Sequence, residues 1–360
     1  MERSFDFEQV MKPVWDDGGT AYCESAAPVE DAAGEVWIPL YYEAGEILEL
    51  RSADLRTLYV EGRDYRLEGG GVRVLRGGAI PTISRAEQYP AEKSEHTFDG
   101  RNGIAYLLFG EGTYFHERQL AVTYRHGGAW RGVFPQRGTG NLPVLAKNLT
   151  EKNKFRLLIY GDSIAAGGNA SGFTGAPPYL PRFGELFAEH LSRRCGAEIE
   201  TVNTAVGGMT AKWGFENAEE RAAAYAPDLA LIAFGMNDGS GHRPAAEFAG
   251  LTKGIIEAVR RRNPRAEFLL VSSICANREA CLYGNQEEYP AALASLCGEG
   301  VALANVTEIH KELLTRKRYM DMTGNNVNHP NDYLHRVYAQ VLTALAAPTA
   351  SAPFREGKIL

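Results

Sequence analysis

The stretch Phe155-Arg156-Leu157-Leu158-Ile159-Tyr160-Gly161-Asp162-Ser163-Ile164 decides how this chain is read. Leu157 to Tyr160 are apolar without alternation, as a strand covered on both faces requires. The run passes directly into Gly161, which permits a tight turn, and then into a serine opening the next segment, where backbone N–H groups are free. Four more solid apolar runs follow at 199–202, 229–234, 268–271 and 301–306. The intervening stretches 183–195, 218–225 and 245–262 are rich in Ala, Glu, Arg and Leu at helical spacing. Near the end, Tyr333, Val337, Tyr338, Val341, Leu342 and Leu345 fall on one helical stripe. Solid strands alternating with amphipathic helices predict a three-layer α/β/α domain around a parallel sheet of about five strands.

Upstream the texture differs. Apolar residues alternate in Val36, Ile38, Leu40 and Tyr42, in Val72 and Val74, and in Leu120, Val122 and Tyr124, with a further run at 104–109. Glycine turns separate them, among them Gly69-Gly70-Gly71, Gly77-Gly78, Gly110-Glu111-Gly112 and Gly127-Gly128. Short period-two runs between such turns predict an all-β sandwich, jelly-roll-like, ahead of the α/β domain. The change of texture after Asn141-Leu142-Pro143 divides the chain into 1–145 and 146–360, with the residues from Pro348 onward as a surface extension.

Composition excludes several classes. Of 360 residues 44% are hydrophobic and 23% charged, which rules out a disordered chain or a coiled coil. The net charge of −7 repels phosphate backbones, so no nucleic-acid partner is expected. No apolar stretch approaches the ~18 residues of a membrane span, and no membrane partner is expected. The acidic opening Met-Glu-Arg-Ser-Phe-Asp-Phe is unlike a secretory signal. Five cysteines without framework spacing fit free thiols. Together these predict a cytoplasmic location.

Ligands of open parallel sheets bind at the carboxyl ends of the strands. There, Ser163 follows the first run, Asn203-Thr204-Ala205-Val206-Gly207-Gly208 the second, and Gly235-Met236-Asn237-Asp238 the third. Asn326-Val327-Asn328-His329-Pro330 precedes the final helix. A lone serine at such a turn is ordinarily a helix N-cap. A serine, a glycine N–H, an amide NH2 and an imidazole in this order at one sheet edge are instead the parts of an acyl-transfer site. Asp162 and Asp238 read as loop-fixing acceptors. The glycine-rich loop 167–175 lacks the Gly-Lys-Ser/Thr ending of a phosphate loop and reads as an insertion shaping the rim of the site. The histidines show no metal-ligand spacing.

On Gly161-Asp162-Ser163, the 203–208 glycine loop, Gly235-Met236-Asn237-Asp238 and His329-Pro330-Asn331, residues 154–346 resemble the SGNH (GDSL-type) hydrolases. The two-part layout resembles carbohydrate esterases of that superfamily. The resemblance implies a flavodoxin-like α/β fold, Ser163 as nucleophile and His329 as general base. It also implies an oxyanion hole from the Ser163 N–H, the Gly208 N–H and the Asn237 side chain, with no metal or organic cofactor. The family usually places an aspartate three residues before the histidine, where this chain has Asn326. Three readings stay open: Asn326 or a main-chain carbonyl orients His329; Asp321 reaches in; or Asp332 pairs with His335, disfavoured because Asp332 sits at a helix N-cap position.

The expected activity is hydrolysis of small acyl esters, acetyl foremost, on a carbohydrate or oligosaccharide. The alternatives are a lipase- or thioesterase-type acyl hydrolase and a non-catalytic glycan-binding protein on a hydrolase scaffold. For the β domain, glycan binding, covering of the active site and self-association as a homo-oligomer all stay open.

Overall fold

The structure, a computed structural model, describes residues 4–16, 18–135 and 141–346. The extension expected from Pro348 onward lies outside the described residues.

The five apolar runs form five parallel strands: β1 (Phe155–Gly161), β2 (Ile199–Asn203), β3 (Leu229–Ala233), β4 (Glu267–Val271) and β5 (Val301–Ala304). Their spatial order is β2-β1-β3-β4-β5, so the chain reverses direction of travel at β1. That is the doubly wound α/β arrangement, and the reversal leaves a crevice at the carboxyl ends of β1 and its neighbours. Period-two geometry sorts the strand residues between two cores. Leu157, Ile159, Leu231 and Leu269 pack with Phe183, Phe187 and Tyr338 on one face. Leu158, Tyr160, Ile232 and Leu270 pack with Phe248, Ile255 and Val259 on the other. Burying a Leu or Phe side chain in this way stabilises the fold by ~1.5–3 kcal/mol each.

The helices that matter for the site are α1 (Ser163–Ala166), α2 (Phe183–Cys195), α3 (Ala245–Arg262) and α4 (Asp332–Ala346). The expected apolar stripe of α4 is buried, and so are His335, Arg336, Gln340 and Thr343 on its other sides. His335 faces the Gly168 carbonyl and Phe183, Thr343 faces His190 of α2, and the N-terminal part of the chain covers Gln340. Gln340 Nε2 donates to the carbonyls of Val10 and Lys12, and its Oε1 accepts from the Val14 N–H.

The N-terminal region is antiparallel β structure. Thr20–Ala26, Leu120–His126 and Ala44–Ser52 form one sheet, with Leu120–His126 central. Trp37–Ile38, Gly71–Val74 and Tyr65–Glu68 form a second, and Thr97–Asp99 pairs with Tyr106–Leu108 as a hairpin. Ile38, Leu50, Val72, Val122 and Tyr124 point into one core that continues into the α2–α4 face of the parallel sheet. Of the tryptophans there, Trp15 and Trp130 belong to this core, whereas Trp37 is exposed. Among the described residues, no helix is long and apolar enough to cross a membrane.

Candidate active site

Gly161 ends β1 opposite Ala233 of β3. A Cβ there would lie 2.2 Å from the Ala233 carbonyl oxygen, so only glycine fits. Asp162 then caps α1, its Oδ1 accepting the Ile164 N–H at 3.0 Å, and Ser163 becomes the first helical residue. As a first-turn residue Ser163 has no intrahelical partner for its N–H. Burial pushes the Asp162 carboxyl up to about 7, partly offset by the Ile164 N–H and the nearby His329.

His329 reaches the same point from the loop before α4. Its Nε2 lies 2.9 Å from Ser163 Oγ. Its Nδ1 lies 2.8 Å from Asn169 Oδ1 and 3.2 Å from Glu111 Oε2. The Asn169 amide can face only one way, because its Nδ2 donates to two carbonyls, Gly112 and Gly324, at 3.1 Å each. Its oxygen therefore points at Nδ1, which must carry the proton. That leaves Nε2 as an acceptor for the Ser163 hydroxyl, the tautomer a general base requires. Asn169 takes φ +60°, a left-handed conformation that asparagine tolerates. A Cβ on Gly324 would sit 2.3 Å from Asn169 Cβ, and one on Gly168 3.2 Å from His329 Nδ1; both glycines admit the close contact.

The remaining strand ends supply donors. A Cβ on Gly207 would fall 3.7 Å from Ser163 Cβ, so the loop after β2 runs beside the serine. Among the described residues, the N–H groups of Ser163 and Gly208 donate to no partner. Asn237 follows Gly235, whose φ of +130° excludes other residues, and its Nδ2 donates one hydrogen to the Met209 carbonyl at 3.0 Å. The second hydrogen of that NH2 is unspent. Asp238 fixes the loop: Oδ2 accepts the Ala211 N–H at 2.9 Å and Oδ1 the Arg243 Nε at 2.7 Å.

The structure thus brings Ser163 and His329 into contact, with the Gly208 and Asn237 loops following β2 and β3. It does not bring Asn326, Asp321 or Asp332 to His329, and each of those expectations is corrected. Asn326 has φ +62°, which turns its side chain to donate to the Leu108 carbonyl at 3.0 Å. Asp321 accepts the Ala27 N–H at 2.8 Å and pairs with Arg318 at 3.0 Å. Asp332 accepts the Ser171 N–H at 2.8 Å, while His335 Nε2 faces the Gly168 carbonyl at 3.0 Å, so these two are not a pair. A main-chain carbonyl does not take the role either. Sequence reasoning missed Asn169, Glu111 and Asn325. Asn169 lies in the loop 167–175 read as a rim, and Glu111 in a glycine turn read only as a turn.

The GDSL-like lipase/acylhydrolase family model matches residues 159–337. No curated protein matches the chain. Among solved structures, the chain is similar to a two-domain esterase (CEX) active on acetylated mannans, with 22% identity and a TM-score of 0.47. That match covers 61% of this chain and 59% of the other, less than two thirds of its length. It is also similar to Axe2, an acetylxylan esterase from Geobacillus stearothermophilus, with 17% identity and a TM-score of 0.44, over 52% of this chain and 92% of the other.

Proposed function

From the premise that residues 159–337 belong to the GDSL-like lipase/acylhydrolase family, we propose that the protein is a serine esterase that removes small acyl groups, acetyl foremost, from a carbohydrate or oligosaccharide. The observation that carries the reading is the 2.9 Å contact of Ser163 Oγ with a His329 Nε2 left unprotonated by Asn169.

In this reading His329 Nε2 takes the Ser163 proton as Oγ attacks the ester carbonyl carbon, a general-base step that typically contributes 10²–10⁴-fold. The oxygen that becomes negative is held by the Ser163 and Gly208 N–H groups and the unspent N–H of Asn237; losing one such donor typically costs ~3 kcal/mol. The C–O bond to the leaving alcohol breaks as the imidazolium returns the proton to that oxygen. Water, deprotonated by Nε2, then attacks the acyl-enzyme and releases the carboxylic acid and free Ser163. A polar alcohol is favoured by the half-exposed Glu111 carboxylate beside His329 and the unspent N–H of Asn237.

The test is hydrolysis of p-nitrophenyl esters from acetyl to octanoyl by the wild type and Ser163→Ala, followed by acetylated oligosaccharides. Fastest turnover of acetate, lost in the variant, is expected. Fastest turnover of octanoate would move the substrate to lipids or thioesters. An inert wild type that binds glycan would instead support a binding protein.

A further inference from the structure

Resting on the reading of Ser163 and His329 as nucleophile and base, we propose that Glu111 is the positioning carboxylate of His329, so that the N-terminal β region completes the catalytic site of the α/β domain.

Glu111 meets two donors with two acceptors. Its Oε2 faces His329 Nδ1 at 3.2 Å and its Oε1 accepts from Asn325 Nδ2 at 2.9 Å. A carboxylate satisfies both, whereas an amide in its place would point an NH2 at one of them. Asn325 ties the two sides together, because its Oδ1 accepts the N–H groups of Val327, Asn328 and His329 itself, each at 3.0 Å. One asparagine therefore shapes the histidine's turn and holds the carboxylate that serves it.

The loop carrying Glu111 is seated from below. Gly112 receives the Asn169 amide, and Asn326 donates to Leu108, three residues before Glu111. The position where the family keeps its aspartate thus holds the strand whose following turn delivers a carboxylate from the other part of the chain. Two other titratable groups lie near the imidazole. Asp162 is buried beneath α1, its carboxyl raised by burial, and His335 on α4 is buried, its pKa lowered to about 4 by desolvation. Burial opposes ionisation of Glu111, but its bond to His329 and the charge there, with the Asn325 and Asn169 amides, outweigh this and hold it below the usual carboxylate range. Asn169 sets the tautomer, and Glu111 supplies the charge that an amide oxygen lacks.

The experiment compares kcat/KM for p-nitrophenyl acetate against pH in the full-length wild type, Glu111→Ala, Glu111→Gln and Ser163→Ala, with Tm for each. Because Glu111 is half-exposed, its effect is screened. Both Glu111 variants are expected to lose about tenfold at neutral pH, with the acid limb about one pH unit lower and Tm nearly unchanged. Profiles of both that superimpose on the wild type, beside an inactive Ser163→Ala, would overturn this proposal alone. Full activity in Ser163→Ala would overturn the esterase reading and this proposal with it.

Discussion

Lys317 Nζ lies 2.6 Å from Glu24 Oε1 in an ion pair closed to solvent, joining the first strand of the β region to the segment before His329. Glu24 also accepts from the Tyr124 hydroxyl at 2.6 Å and the Tyr41 N–H at 2.9 Å, so its oxygens are fully used. Removing one partner of such a pair leaves a buried charge uncompensated, which costs ~3–5 kcal/mol. Lys317→Met is therefore expected to lower unfolding stability by about 3 kcal/mol or more. Adding Glu24→Gln removes that charge while keeping an oxygen for one of the two donors, and should recover part of the loss, as measured by urea titration of the double-mutant cycle. Equal stabilities of the single and double variants would contradict the uncompensated-charge account.

Asn169→Gly removes the nearer of the two acceptors at His329 Nδ1, leaving Glu111 Oε2 at 3.2 Å, without straining a backbone at φ +60°. The imidazole then keeps its Nδ1–H tautomer through Glu111 alone, and the fraction protonated at Nε2 cannot accept from Ser163. The expected result is a fall in kcat of roughly tenfold, well short of the ~10⁴ that a wrong tautomer costs in a serine protease, because Glu111 still accepts from Nδ1. KM should move far less. A variant with wild-type kcat would show that Asn169 does not set the tautomer.

Asp162 links stability to pH. Its folded pKa of about 7 lies above the ordinary aspartate value, so between about pH 4 and 7 the folded state holds more protons than the unfolded state. Its contribution is most favourable below that window and is lost as pH rises through it. Asp162→Asn keeps an oxygen for the Ile164 N–H and removes the titration. Thermal melts from pH 5 to 8 should show the variant's Tm rising relative to wild type as pH increases. A constant difference across that range would contradict this.

What meets His329 Nδ1 was the part of the candidate site hidden in the sequence, while the Ser163 and His329 positions at its centre were legible. Ser163 and His329 declared themselves because strand, turn and helix patterns are local, and local patterns place a residue at a strand end. The position three before the histidine misled because spacing does not specify φ: at +62° the Asn326 side chain leaves the site for Leu108.

The sequence by itself determined the five parallel strands, the helices between them and the loops that carry the serine and the histidine, since hydrophobic periodicity over a few residues suffices for each. Only the tertiary structure decided which groups meet Nδ1. Glu111 lies 218 residues from His329 and Asn169 lies 160; the Glu111 contact exists only once the β region has docked on the α/β domain, and the Asn169 contact only once the parallel sheet has brought its two loops together. Packing of the N-terminal segment likewise buries Gln340 of α4, which helical periodicity marks for solvent. A side chain's hydrogen-bond partner is set by the packing of whole layers, and no window of sequence contains both partners.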